Sequence, residues 1–595
     1  MGKTNGRKSS RVSDVVAIDR RDFIAAAGLA VGAASAPGLV SKAAAADNFE
    51  AAIFQRQDVQ PDEAAAPPGV SAKTIEEAQK LIGVEFTEKE REMMAPLLSQ
   101  QLRYWEFLRE QGLENGESPA ETFNPQLPGV SYERNSRRDR LTPVRRGSLP
   151  SSKLDIAFAP AAQQANWLRT KQITSVELTQ LHLDRLKKHD GKLECVITLT
   201  EDAAMEQARQ ADRELAAGRS RGPLHGLPFG LKDLFDTAGI RSTWGAAPYK
   251  DRVPDRNSAV YNRLRDAGAV LCAKLTMGAL AYGDIWFGGR TRNPWNIEQG
   301  SSGSSAGPAA AAAAGLLPIT IGTETYGSIG SPSARCGATG LRPSFGRISR
   351  AGAMALCWSL DKAGPICRTV DDCAMALASL NGADPDDAAS IDMPLNLDMT
   401  RSVRGVRVGF DPSEYESDRA TDADRKTLDI LRDRGCELVE TKLPQGPFGQ
   451  VIFLLISVEG ACAFDELTRS NQDDLMQWQS PQAWPNTFRS TRLFPAVEYL
   501  QSSRIRRRYL RLVHDLFRDV DVITAPQRHG AMHALTNMTG QPAITQKHGF
   551  RDNGTPRGFT MWGRLYDEST LLRVARAVEQ DLDLWTKRPP MFAEA

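Results

Sequence analysis

Residues 300–332 constrain this chain more than any other stretch. Gly300-Ser-Ser-Gly-Ser-Ser-Ala-Gly-Pro-Ala-Ala-Ala-Ala-Ala-Ala-Gly315 runs into Leu-Leu-Pro-Ile-Thr-Ile-Gly322 and then Thr-Glu-Thr-Tyr-Gly-Ser-Ile-Gly-Ser-Pro332. Composition alone would allow a flexible Gly/Ser/Ala linker. The punctuation argues otherwise. Pro308 suits a first helical turn, alanine is the strongest helix former and Gly315 suits a left-handed stop, which predicts a short helix over Pro308–Ala314. Leu316–Ile321 follows as a buried strand, and Gly322–Gly327 as a tight loop ending at Ser328. Ser304 and Ser305 then lie just before the helix, near its positive end. Glycines let a backbone approach a substrate closely, and consecutive loop N–H groups can converge on an oxyanion, as acyl transfer requires.

Around this segment the chain alternates helical and strand-like patterns. Ala161–Thr170 and Ser175–His189 read as helices, the second entered through Thr174-Ser175-Val176-Glu177. Cys195–Leu199, Val270–Ala273, Val406–Phe410 and Val520–Thr524 read as buried strands. Such alternation implies an α/β fold with a mixed, mostly parallel central sheet covered by helices on both faces. Upstream, Thr74–Leu81 and Thr87–Gln111 predict a small N-terminal helical extension, the second opening on the capping pattern Thr87-Glu88-Lys89-Glu90. Residues 115–152, rich in Pro, Arg, Ser and Asn, suit an extended segment. The expected organisation is a leader over 1–46, a helical extension and linker over 47–153, and a catalytic domain over 154–590. About 392–519 form a less regular, substrate-facing insertion within that domain.

The leader has three parts. Lys3, Arg7, Lys8 and Arg11 precede Arg20-Arg21-Asp22-Phe23-Ile24, a mildly apolar run from Ala25 to Val40, and Lys42-Ala43-Ala44-Ala45-Ala46. This layout is that of a signal peptide, and the paired arginines resemble a twin-arginine export signal with Asp19 in place of the usual Ser or Thr. Cleavage after Ala46 and a periplasmic or secreted enzyme are expected. The apolar run is short and broken by Pro37, too little for a permanent membrane span.

The charge balance, 74 Lys+Arg against 73 Asp+Glu, leaves a formal net charge of +1, so no bulk field selects nucleic acid or an anionic membrane. The eight cysteines contain no CxxC pair and predict neither a zinc knuckle nor a required disulfide. His529 and His533 have an i, i+4 spacing, but Gly530 lies between them and nothing nearby completes a metal site. No metal and no cofactor is expected.

These segments resemble the amidase signature family. That family's frame has a Ser-Ser step, a Gly/Ala helix, a strand and then Gly-Thr-Asp-x-Gly-Gly-Ser. Register on Gly315 and Pro318 selects Ser304 over the earlier Ser301-Ser302 pair, and makes Ser328 the nucleophile. The resemblance extends through Pro223-Leu-His-Gly-Leu-Pro with Lys232-Asp233, Ala267-Gly-Ala-Val-Leu-Cys-Ala-Lys274, Gly337-Ala-Thr-Gly-Leu-Arg-Pro343 and Ser359-Leu-Asp-Lys-Ala-Gly-Pro365. Thr536-Asn-Met-Thr-Gly-Gln-Pro542 completes the series, which runs from about Leu154 to Lys587. The departures are Glu324 for the common Asp, Tyr326 for the first Gly of the pair, Gly330 for the Arg often following Ser-Ile, and Thr276 and Ala279 after the Lys274 step.

The resemblance implies hydrolysis of a carboxylic amide in a small-molecule substrate, with Lys232 as base, Ser304 as relay on a cis peptide and Ser328 forming an acyl-enzyme. Thr325, Tyr326, Gly327 and Ser328 would supply oxyanion N–H groups, with Ser305 and Thr323 in support. Lysine in water has a pKa of about 10.4, so Lys232 must be desolvated to act as a base near neutrality, and Asp233 must point elsewhere. Substrate identity and oligomeric state stay open. The alternatives within the same family are a noncatalytic scaffold and the A-type subunit of a glutamine-amide amidotransferase. Two smaller matches are set aside. Gly303-Ser-Ser-Ala-Gly307 fits a nucleophile elbow centred on Ser305, but its preceding residues make a poor strand. Ser359-Leu-Asp-Lys362 fits Ser-x-x-Lys without the partner motifs of that class.

Overall fold

The computed structural model describes residues 69–593 apart from 145–146, 419 and 527–529. The leader over 1–46 and His529 lie outside the described residues. Internal contacts divide the described residues into two units, 69–75 with 87–106 and 76–86 with 107–593. The helix Glu88–Arg109, which opens in the first unit, starts where the sequence places a cap. Thr87 N–H donates to Glu90 Oε2 at 2.6 Å, and Glu90 N–H returns a bond to Thr87 Oγ1 at 3.4 Å.

The second unit is organised by an eleven-stranded mixed sheet. From one edge the order begins Val196–Leu199, Val270–Leu275, Pro228–Lys232, Ile319–Glu324, Lys362–Cys367 and Thr339–Arg342. It continues with Ala543–Phe550, Pro556–Gly563, Val522–Ala525, Arg407–Phe410 and Glu437–Glu440. The parallel pairings flank the sheet: Pro228–Lys232 runs parallel to both of its neighbours, and so does Arg407–Phe410. The six pairings of the centre and the first edge are antiparallel. Residues 392–519 thus add the last two strands at one end of the sheet, along with the helices Phe448–Ala463 and Ala496–Leu516.

Strands buried on both faces read as unbroken apolar runs, and every residue of Val270–Leu275 and Ile319–Glu324 is buried. Alternation along the first splits the core. Val270 and Cys272 join a cluster with Ala309–Ala314, while Leu271 joins the larger cluster with Phe229, Leu231 and Ile321. The alanine helix spans Ala306–Ala313, two residues earlier at its start than Pro308 suggests, and is buried all round. Small side chains permit this: a Cβ on Gly307 would lie 2.5 Å from Thr276 N and from Cys195 O. The helix stops at Gly315, whose φ is 65°. The strand after it covers Ile319–Glu324, so Gly322–Glu324 belong to the sheet and only residues 325–329 form the loop. The cause lies in pairing: Gly322, Thr323 and Glu324 are registered against Gly364, Ala363 and Lys362 of the adjacent strand.

Candidate active site

Lys232 ends the strand Pro228–Lys232, whose buried apolar residues carry the lysine into the interior, where the side chain is wholly inaccessible. Its Nζ donates to Ser304 Oγ at 2.8 Å and to Thr323 Oγ1 at 2.9 Å, with Thr323 O at 3.5 Å. Ser304 follows a cis peptide from Gly303. Gly303 is required there by close approach, since a Cβ would come within 1.8 Å of Gly283 O. Ser305 is bound to the strand instead, donating to Thr323 O at 3.0 Å and accepting from Thr323 N–H at 3.1 Å. These two bonds occupy its hydroxyl. A strand, Asn296–Gly300, does precede the elbow-like Gly303–Gly307 match, contrary to expectation, but it pairs only with Arg292–Asn293 in a separate ribbon.

Ser305 N–H donates to Ser328 O at 3.1 Å, which joins the relay loop to the turn holding the predicted nucleophile. Fractional exposure rises from 0% at Lys232 through 1% at Ser304 to 8% at Ser328, so the three residues lead from a buried amine towards solvent. Ser328 sits in the turn between the strand Ile319–Glu324 and the helix Gly330–Cys336. Gly327, with φ 95°, takes a backbone conformation that a side chain would oppose. Thr325 Oγ1 donates to Asp361 Oδ1 at 2.5 Å, and Asp361 Oδ2 accepts from Leu356 N–H at 2.8 Å and Cys357 N–H at 3.0 Å. Tyr326 is 39% exposed and stacks on His533 with ring centroids 5.7 Å apart.

Burial lowers the Lys232 pKa from 10.5 to about 7, the charges of Asp361 and Glu324 opposing the shift. Removal from water therefore costs the charged form on the order of 5 kcal/mol and leaves an amine able to take a proton near neutrality. Asp233 does not interfere. Its Oδ1 lies 3.3 Å from Lys274 Nζ and its Oδ2 accepts from Thr243 N–H and Thr243 Oγ1, each at 2.6 Å. Lys274 stands in one of the family-like motifs, yet its spacing gives no hint that it neutralises Asp233. Asp361 stands in the Ser359–Pro365 motif, but its role is not legible there, because only the fold brings the turn after Trp358 against Thr325.

A protein-family model described as Amidase matches residues 177–572, well over half of the chain. The chain belongs to the amidase family. Among its curated relatives, the A-type subunit of glutamyl-tRNA(Gln) amidotransferase from Roseiflexus sp. (strain RS-1) is 34% identical over 471 residues, covering 71% of this chain and 96% of that protein. The protein of the same name from Moorella thermoacetica is 31% identical, with 74% and 99% covered. Among solved structures, the peptide amidase from Stenotrophomonas maltophilia shares 30% identity at a TM-score of 0.66, covering 74% of this chain and 99% of that one. A bacterial aryl acylamidase at 22% identity and a TM-score of 0.65 supports the fold.

Within this amidase fold, the tryptophans nearest the site's motifs in sequence serve other ends. Trp244 packs on Tyr249 at 4.6 Å and beneath Arg252 at 4.5 Å, and Trp295 Nε1 donates to Cys336 O at 2.8 Å. Tyr282 meets Trp484 at 4.9 Å and Trp478 at 5.1 Å. Tyr282 adjoins Gly283, whose carbonyl backs Gly303, so this aromatic group flanks the relay loop. Among the described residues, no group of three or more His, Cys, Asp and Glu is placed to hold a metal ion, and no helix is long and apolar enough to cross a membrane.

Proposed function

We propose that the chain hydrolyses a carboxylic amide C–N bond to acid plus ammonia or an amine through an acyl-Ser328 intermediate. The observation that carries this reading is the fully buried Lys232 amine 2.8 Å from Ser304 Oγ, with a pKa brought to about 7. In the proposed cycle neutral Lys232 takes the Ser304 proton, Ser304 takes the Ser328 proton, and Ser328 Oγ attacks the carbonyl carbon. N–H groups of residues 325–328 receive the oxyanion. The relay then returns a proton to the leaving nitrogen, without which an amide anion would have to depart. Water, deprotonated by the same route, releases the acid. Ser305 and Thr323 support the relay by locking its loop to the strand.

The names of the curated relatives favour a second reading, an amidotransferase A-type subunit that cleaves the glutamine side-chain amide and delivers ammonia to a partner. Both readings share the acyl-Ser328 step and differ in where the nitrogen goes. The experiment is ammonia or amine release by purified chain across an amide panel that includes glutamine, without partner or ATP. Turnover of non-glutamine amides supports the first reading; glutaminase activity that needs a partner complex supports the second. No release from any amide, with or without a partner, would leave only a noncatalytic role.

The residues of the leader support export by a twin-arginine route to the periplasm or medium, a setting that suits the first reading. Fusing residues 1–46 to a folded reporter, with and without Arg20→Lys and Arg21→Lys, tests it.

A further inference from the structure

We propose that Arg342 is a positioning residue for Ser328, acting through the carboxylate of Glu324. The inference rests on the assignment of Ser328 as nucleophile. Glu324 ends the strand before the Ser328 turn and is almost wholly buried, and its side chain folds back over that turn. Its Oε2 accepts from Ile329 N–H at 2.9 Å and Gly330 N–H at 3.0 Å, the two residues directly after Ser328. Its Oε1 accepts from Arg342 Nη1 at 2.9 Å and from Asn537 Nδ2 at 3.0 Å, and His533 Nε2 lies 3.5 Å away. One carboxylate therefore sets the backbone that carries the nucleophile.

A buried carboxylate holds that geometry only while ionised. Protonation would replace a two-bond acceptor with a hydroxyl, and burial without a counter-charge favours protonation. Arg342 supplies the counter-charge from the strand Thr339–Arg342. It is itself fixed, since Nη2 donates to Thr536 Oγ1 at 3.0 Å and Gln541 O at 2.9 Å. His533 Nε2, 3.5 Å from the carboxylate, adds charge only when protonated, and the other nearby basic group is turned away. Lys362 stands directly across the sheet from Glu324, but its Nζ donates to Leu360 O, with Asn537 O at 3.5 Å. Burial, reinforced by the Arg342 charge, holds the Lys362 amine well below the ordinary lysine range.

This arrangement also accounts for the glycine at 330. A Cβ there would have Thr545 Oγ1 at 3.0 Å and His533 Cε1 at 3.7 Å, so the position is enclosed, and the cation reaches Glu324 from the next strand but one in the sheet instead.

The test uses the full chain with Arg342→Met, Arg342→Lys, Glu324→Gln and the Met/Gln double variant. Two readouts are needed: steady-state kinetics on an amide that the wild type turns over, and the rate at which a fluorophosphonate labels Ser328. Arg342→Met and Glu324→Gln should each lower kcat about tenfold to a hundredfold, the scale of a charge-assisted bond lost from the reacting assembly, with KM within about twofold. Labelling should slow in proportion, Arg342→Lys should recover part of the loss, and the double variant should be no worse than the poorer single one. Glu324→Gln should also move the acidic limb of kcat/KM to lower pH, because a negative charge that favours protonated Lys232 is gone. Should Arg342→Met fail to fold, Arg342→Lys and Glu324→Gln carry the same comparison. Unchanged labelling in folded variants, a loss confined to KM, or additive losses would overturn the positioning role while leaving the nucleophile intact. A wild type that is never labelled at Ser328 would overturn the nucleophile assignment and this inference with it.

Discussion

Lys232 and Asp233 are consecutive residues with opposite electrostatic fates: Lys232 Nζ donates to Ser304 Oγ at 2.8 Å, while Asp233 Oδ1 lies 3.3 Å from Lys274 Nζ. Lys232 ends its strand and Asp233 opens the turn that follows, which takes the two side chains to different partners. An amine without a paired carboxylate is what lets burial make Lys232 a base.

The first prediction concerns pH. Neutral Lys232 is the active form, so kcat/KM should rise with pH, reach half its plateau near pH 7 and stay level above it. Stability should follow the same group. The folded pKa lies below the unfolded value, so the unfolded chain binds more protons between about 7 and 10.5, and the contribution of Lys232 to stability rises with pH across that window. Lys232→Met should abolish activity, remove that slope of up to about 1.4 kcal/mol per pH unit and stabilise the fold at pH 7. A pH–rate profile and urea unfolding at several pH values check both.

The second concerns the Asp233–Lys274 pair, whose side chains are inaccessible. Lys274→Met would strand a buried carboxylate and should cost about 3–5 kcal/mol of stability. Urea denaturation measures it, and the double variant Lys274→Met/Asp233→Asn should recover a large part.

Third, the adjacent serines should separate by phenotype. Ser304→Ala should lower kcat by about 10²–10⁴-fold with little effect on folding, since it removes a proton-transfer group. Ser305→Ala should cost about 1–3 kcal/mol of stability by leaving the Thr323 backbone unpaired, with the smaller kinetic loss. Kinetics and thermal unfolding of the two proteins decide it.

Much of this is legible in the sequence because it is written locally. The alanine run with Gly315 marks a helix and its stop, Thr174 with Glu177 marks a cap that forms as a full capping box, and the order of motifs selects Ser304 and Lys232. The end of the strand before Ser328 is not legible in the same way, since glycine at 322 suggests a loop until Gly364 pairs with it. Arg342, Lys274 and Asp361 stand in family-like motifs, but their roles are not legible there, because each acts across a sheet or turn distance that no spacing encodes. Lys232 and Ser305 share Thr323 as a partner, and Lys232 also reaches Ser304.

Fourth, Tyr326 stands in the Ser328 loop where the resemblance expects glycine, and its ring is held on His533. Tyr326→Gly should open the site beside the nucleophile, changing KM among amides of different bulk more than kcat for the smallest one. A substrate panel with matched leaving groups reads this directly.

The most direct test of the central claim is rapid-quench mass spectrometry of the enzyme turning over an activated amide or ester, followed by peptide mapping. The account predicts a transient acyl adduct on Ser328, absent in Ser328→Ala and formed more slowly in Lys232→Ala. Turnover with the adduct on Ser305, or undiminished turnover in Ser328→Ala, would contradict it.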